Sequence, residues 1–330
     1  MTIGMIFFIK QCYGFFAKLT QKNTKNLFGG VDLMNVASTK ARIKNIADKT
    51  GKNYQDLLTA YGLERTIYRL SISEYKDRFI LKGGIFLYAI SGGNYARATT
   101  DIDFLAQNIS NDLDDIKTVF SNILSIETDD ALVYDLESIQ VISITEFKEY
   151  HGVNVSTTAY LDKTRIHISI DIGYGDIIYP DKVEMDFPVL LEQEAPHIYA
   201  YSLASSIAEK FEAIVSLGYD NSRYKDVFDI YIFSTSYDFD GDILMEAIKE
   251  TFVHRKTEMK DIVIFENGFA DDALRQSRWK SFSKNKKISL SISLQEAIAA
   301  IDVFLSPLVR AYHEDSQFAF SWNHNSRKWE

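Results

Sequence analysis

One cysteine, Cys12, and four prolines in 330 residues leave the chain with few covalent or conformational constraints. A lone cysteine excludes an internal disulfide and any cluster of thiolate metal ligands. So few prolines, with no Ser/Gly-rich tract, argue against long disordered linkers. No apolar run approaches the roughly 18 residues that a membrane span needs. Residues 3–9 come nearest, but Lys10 follows them and no basic stretch precedes them as in a secretory leader. A cytoplasmic protein is the expectation. Positive charge is also in short supply: 36 Lys and Arg stand against 46 Asp and Glu, a formal charge of −10. That excludes a general nucleic-acid coat, which needs a broad basic face, though not a local basic patch on an acidic body. The six histidines show no paired spacing, so a zinc site is not expected. Neither a Gly-x-Ser-x-Gly elbow nor a Walker-type loop occurs.

What is present suits a globular chain of about two domains, with 46% hydrophobic and 25% charged residues. Residues 1–33 read unlike the rest, a short apolar stretch followed by a polar Lys/Asn/Gly passage, and are expected to be a dispensable extension. From residue 34 the pattern becomes regular. Asn35 and Ser38 offer cap chemistry for a helix to Thr50, closed by Gly51. A second helix over 54–70 sets Leu57, Leu58, Tyr61, Ile67 and Leu70 on one face. A short strand at 79–81 leads to Gly83-Gly84, a helix over 85–90, Gly92-Gly93 and a strand at 102–105. A helix over 112–125 follows, with Leu113, Ile116, Val119, Phe120 and Leu124 facing inward. Strands are expected at 139–144, 153–161 and 165–172. In the last, Ile166, Ile168, Ile170 and Ile172 point one way and Arg165, His167, Ser169 and Asp171 the other. Helices are expected near 202–217, 222–234, 242–253, 270–282 and 292–312. The organisation reads as a helical pair at 34–70, a mixed α/β core at 71–235 and a helical C-terminal region at 236–330.

The feature that carries chemistry is Lys82-Gly83-Gly84, then sixteen residues, then Asp101-Ile102-Asp103-Phe104. Asp101 and Asp103, two apart on a strand, project from the same face with Cα atoms about 7 Å apart. Adjacent carboxylates repel unless a cation sits between them. Mg²⁺ is the usual answer: it takes hard oxygen ligands and leaves positions for water and substrate phosphates. Gly-Gly directly before a helix exposes backbone N–H groups at a helix N-terminus, which favours a phosphate. Asp171, ending a strand on its polar face, is the natural third carboxylate and a candidate base for an attacking hydroxyl. Taken singly, each has an ordinary reading: Asp-x-Asp as a turn or strand end, Gly-Gly as a turn, Asp171 as a strand cap. The order of all of them in one chain favours a site.

Two later helices add to it. Lys210 leaves its helix on the apolar side, where a bare ammonium is costly, so it either finds an anionic partner or snorkels to the surface. In the next helix Tyr224, Val227, Phe228, Tyr231 and Ile232 cover one face, and Lys225, Asp226 and Asp229 form a narrow polar stripe. That stripe reads either as a solvated Lys225–Asp229 pair or as a surface turned to a phosphate site.

The run "RFILKGGIFLYAISGGNYARATTDIDF", followed by "ISIDIGYGD", "SLASSIAEKFEAIV" and "NSRYKDVFDIY", resembles the AbiEii-type nucleotidyltransferase toxins of abortive-infection and type IV toxin–antitoxin systems. The resemblance covers residues 34–234. It implies an α+β fold: a DNA polymerase β-like minimal nucleotidyltransferase core, a mixed sheet with flanking helices, plus N-terminal helices and a C-terminal helical region. It implies NTP as substrate, Mg²⁺ (or Mn²⁺) as cofactor and a cognate antitoxin as partner. It implies a catalytic and metal-binding set of Asp101, Asp103 and, by a weaker match, Asp171, with Lys210 and Asp229 alongside. Lys82, Gly83, Gly84, Arg97, Lys225 and Asp226 fall on the nucleotide side. One departure stands out: many nucleotidyltransferases carry Ser or Thr straight after the glycine, whereas here Gly84 and Ile85 follow Gly83. Thr99 or Thr100 stands where a hydroxyl could compensate.

The expected activity is transfer of a nucleoside monophosphate from NTP to a hydroxyl, with a tRNA-like RNA 3′ end as acceptor by family analogy. The alternatives are transfer to a protein side chain, kinase-like action on the antitoxin, or an inactive binding partner that keeps the fold. One patch suits a flexible RNA end through stacking and phosphate contacts: Arg275, Arg278, Trp279, Lys280, Phe282, Lys284, Lys286 and Lys287. The same residues also read as a solvated helix end.

Overall fold

Cap chemistry sets the first two helices where the sequence puts them. The Asn35 side chain accepts from the Ser38 amide at the start of α1 (Val36–Thr50), and Gly51 in the left-handed region ends it. Asn53 accepts from the Gln55 and Asp56 amides at the start of α2 (Tyr54–Ser71). The structure, a computed structural model, describes residues 35–94, 99–146, 150–286, 288 and 291–330. The extension expected over 1–33, together with Arg97 and Lys287, lies outside the described residues.

The core then runs β1 (Phe79–Lys82), α3 (Gly83–Ile90), β2 (Ile102–Ala106), α4 (Leu113–Leu124), β3 (Val133–Tyr134), β4 (Gln140–Glu146), β5 (Tyr150–Leu161), β6 (Thr164–Tyr174), β7 (Val183–Asp186) and β8 (His197–Ala200). Among the described residues these strands form one eight-stranded sheet in the order β3-β5-β6-β2-β1-β8-β7, with β4 also paired to β5. It is mixed: β2–β6 and β1–β8 pair parallel, while the other pairs run antiparallel. The expected alternation along β6 holds, with Ile166, Ile168, Ile170 and Ile172 all fully buried. Helix α2 lies directly on that face. Gly62 makes the approach possible, since a Cβ there would stand 2.7 Å from Ile166 Cγ2. The opposite face of β6, with Arg165, His167, Ser169 and Asp171, stays exposed or half-buried.

Helix α4 departs from its expected inner face at one residue. Asp112 caps it through the Asp114 and Asp115 amides, so Leu113 sits in the first turn and is 38% exposed, while Ile123 is fully buried. After the sheet come α5 (Leu203–Leu217), α6 (Tyr224–Ser236), β9 (Phe239–Asp240), α7 (Gly241–His254), α8 (Ala273–Asn285), α9 (Leu294–His313), β10 (Ser321–Asn323) and β11 (Lys328–Trp329). The helices were expected there, but the small antiparallel sheet β11-β10-β9 was not. Its cement is aromatic, with the Trp322 and Trp329 rings against Phe304 at 4.8 and 5.7 Å. Asn35–Glu330 forms a single compact unit.

Candidate active site

The strand pairings gather the carboxylates. Antiparallel pairing sets Lys82 of β1 opposite Asp103 of β2, and parallel pairing sets Asp103 opposite Asp171 of β6. Asp101 lies just before β2 on the same side, so Asp101, Asp103 and Asp171, all half-buried, each offer an oxygen within 4.8 Å of the others. Three carboxylates this close repel one another. Burial, then the charge of Asp101, and also that of Asp171, push the Asp103 carboxyl up to about 6, while Lys225 and Lys82 oppose the shift. Hard oxygen donors in this number suit a divalent cation of the Mg²⁺ type, which relieves that repulsion.

The glycine turn packs against the same group. Gly83 has φ +66°, and a Cβ on it would fall 2.0 Å from Asp103 Oδ2, so no side chain fits there without displacing that carboxylate. The Gly84 amide donates to Asp103 Oδ2 at 3.3 Å. The N-terminus of α3 therefore faces the carboxylates, with the Gly84 amide turned to Asp103. Among the described residues Thr99 Oγ1 is buried without a hydrogen-bond partner, two positions before Asp101.

Lys82, expected on the phosphate side, is held elsewhere. Its ammonium donates to Asp176 and Glu209, both at 3.1 Å, and reaches the triad only through its charge on Asp103. Arg255 at the end of α7 closes that network, pairing with Asp176 and Glu212 at 2.8 Å, and Tyr201 donates to Glu209 at 2.9 Å. Desolvation alone would lower the Lys82 pKa, but Glu209, Tyr201 and Asp176 hold it well above the usual lysine value. Sequence reading missed Asp176, Glu209 and Arg255. Asp176 closes the "GYGD" block and Glu209 is the neighbour of Lys210, but no local pattern brings Arg255 to them.

The second cluster corrects the reading of α6. Lys210 of α5 lies on the apolar side as expected, and its partners are anionic: Asp226 at 3.2 Å and Asp229 at 2.8 Å. Both aspartates are buried, at 1% and 0% exposure, so they do not belong to a solvated stripe. The apolar face is rotated accordingly. Ile230 and Phe233 are buried, while Tyr231 and Ile232 are half-buried. Although burial works the other way, Lys210, Arg223 and Lys225 hold the Asp226 carboxyl below its usual range. Lys225 is exposed, and its charge acts on both Asp226 and Asp103, linking the two clusters.

The basic patch on α8 is divided by burial. Trp279 is 3% exposed, packs against Tyr224, Phe228 and Phe282, and donates its indole N–H to the Ile292 carbonyl. It is a core residue and cannot stack on a base, which corrects the expectation for it. Arg275 donates to the Tyr219 carbonyl and stacks over Phe269 at 4.3 Å. Arg278, Lys280 and Lys284 are exposed and Lys286 is half-buried. A cleft of about 570 Å³ beside them is lined by Trp279, Lys280 and Ser293 and contains none of the three carboxylates.

The family model for the nucleotidyl transferase AbiEii toxin of type IV toxin–antitoxin systems matches residues 65–300. Two solved structures align with the chain at low sequence identity. The crystal structure of JHP933 from Helicobacter pylori is 16% identical with a TM-score of 0.46, covering 80% of this chain and 95% of its own. A structure described as a proposed nucleotidyltransferase from H. pylori is also 16% identical, with a TM-score of 0.45, covering 81% of this chain and 100% of its own. No curated protein matches the chain.

Proposed function

The chain belongs to the AbiEii nucleotidyl transferase toxin family of type IV toxin–antitoxin systems, and on that premise we propose that it moves a nucleoside monophosphate from NTP to the hydroxyl of an RNA 3′ end, at Asp101, Asp103 and Asp171. Membership makes the protein a nucleotidyltransferase and implies an antitoxin as partner. The observation that supports the site is the convergence of three carboxylate oxygens within 4.8 Å beside the Gly83-Gly84 turn. A divalent ion such as Mg²⁺ (or Mn²⁺), held by these aspartates, would neutralise triphosphate charge and acidify the acceptor hydroxyl.

The chain's own residues do the rest. Asp171 takes the proton of the attacking hydroxyl. The acceptor oxygen then bonds to the α-phosphorus as the bond to the β-phosphate oxygen breaks, and pyrophosphate leaves. Donors at the start of α3 and the exposed Lys225 ammonium face the phosphates as charge builds on them. Thr99, with its hydroxyl unpaired, stands in for the hydroxyl that the glycine turn lacks. Lys210 and Asp229 are positioning residues: their ion pair holds α5 against α6, the helix that carries Lys225.

The test is incubation of the purified protein with each α-labelled NTP, Mg²⁺ and total RNA, followed by separation of RNA from protein. Label is expected in RNA. Label confined to protein would replace the RNA acceptor with a protein side chain, and label transferred only in a parallel reaction with γ-labelled NTP would make the enzyme a kinase.

A further inference from the structure

One row of paired residues crosses the sheet from Lys82 through Asp103 and Asp171 to Asn154 of β5. Directly paired residues project from one face, so a neutral amide ends a row of charged groups. Asn154 Nδ2 donates to Asp171 Oδ1 at 2.6 Å and to Ser169 Oγ at 2.9 Å. Chemistry fixes which end of the amide faces the carboxylate, because an ionised carboxylate only accepts and the donor must be nitrogen.

We propose that Asn154 is a positioning residue for Asp171, setting the plane of that carboxylate for the cation it shares with Asp101 and Asp103. This rests on the carboxylate-site reading given above. An aspartate side chain on a strand is free to turn about two torsions. A hydrogen bond to a charged oxygen, stronger than a neutral one, removes much of that freedom. The amide does so without adding charge. A lysine in its place would neutralise Asp171 and compete with the cation, and a further carboxylate would add to the repulsion already acting on Asp103. Ser169, two residues before Asp171 on the same face of β6, anchors the amide from the other side, so the strand that carries the carboxylate also orients its donor. Hydrogen-bond partners of metal-bound carboxylates contribute about 10–100-fold in metal affinity.

The experiment titrates Mn²⁺ alone into the metal-free full-length protein and follows the free ion by electron paramagnetic resonance. Asn154→Leu keeps the side chain's size and removes the donor. Asn154→Ala removes the donor without demanding space, which covers the case in which leucine perturbs packing. Both are expected to bind Mn²⁺ about 10–100-fold more weakly than the wild type. Ser156→Ala, two residues along β5 on the same face, is expected to bind as the wild type does. Wild-type affinity in both Asn154 variants would overturn the positioning role while leaving the carboxylate site intact. A wild-type protein that takes up no Mn²⁺ would overturn the site reading and this inference with it.

Discussion

Gly83 shows how tightly single residues are constrained at this site. Its positive φ and the 2.0 Å that would separate a Cβ from Asp103 Oδ2 leave glycine as the residue that fits, whatever is bound beside it. Lys210 is constrained by electrostatics rather than space. With Asp226 and Asp229 both buried against its ammonium, removing the charge leaves Asp229 without its lysine and Asp226 with Arg223. Lys210→Met is therefore expected to cost roughly 3–5 kcal/mol in urea unfolding, the usual penalty for breaking a buried ion pair from one side. The double variant with Asp229→Asn should recover much of that loss. A Lys210→Met protein as stable as the wild type would show that the ammonium does not hold α5 to α6. The sequence placed Lys210 correctly, because its spacing from Leu203, Ile207 and Ile214 fixes the side of the helix it leaves from. It could not show that Asp226 and Asp229 turn inward to meet it. That depends on α5 and α6 packing together, and a charged stripe on an isolated helix reads as solvated.

At the scale of elements, α2 is fastened to the segment around 187–196 by a group that senses pH. Glu64 is 2% exposed. It faces Arg65 Nε at 3.0 Å and accepts from the Leu190 amide at 2.6 Å. Burial, opposed by Arg65, pushes its carboxyl up to about 7. In the unfolded chain it titrates near 4.5, so between those values the folded state holds a proton that the unfolded state has released. Stability from this group is therefore greatest in acid, falls as pH rises through that window and levels off above about 7. Unfolding free energy is expected to drop between about pH 4.5 and pH 7, and Glu64→Gln should flatten the drop. An unchanged slope in Glu64→Gln would contradict it. Elements with a strong local period were legible, such as α1 between Asn35 and Gly51 and β6 with its four buried isoleucines. Strands β9, β10 and β11, two or three residues long, were not. Their pairing joins Phe239 to Trp322, far apart in sequence, and no local period signals such a contact.

For the whole molecule, the mixed sheet does what no motif does alone. It carries Asp103 on one strand, Asp101 just before that strand and Asp171 on another to a single point, with Asn154 and Lys82 at either end of the row. The order of motifs made the three aspartates legible. Asn154 was not, because an asparagine on the polar face of a strand acquires meaning only once the register sets it beside Asp171. Trp279 failed in the opposite direction: aromatics among basic residues read as a nucleic-acid surface until the fold buries the ring. The central claim is that the three carboxylates perform nucleotidyl transfer. It is tested most directly by comparing Asp101→Ala and Asp103→Asn with the wild type in transfer from α-labelled NTP with Mg²⁺, together with their melting temperatures. Asparagine at 103 keeps an acceptor for the Gly84 amide, and the bond that Asp101→Ala removes, from the Thr100 amide, is exposed so that water replaces it; neither change should disturb the fold. Transfer abolished in both, with melting temperatures within about 2–3 °C of the wild type, is the predicted result. Wild-type turnover in either variant would contradict it.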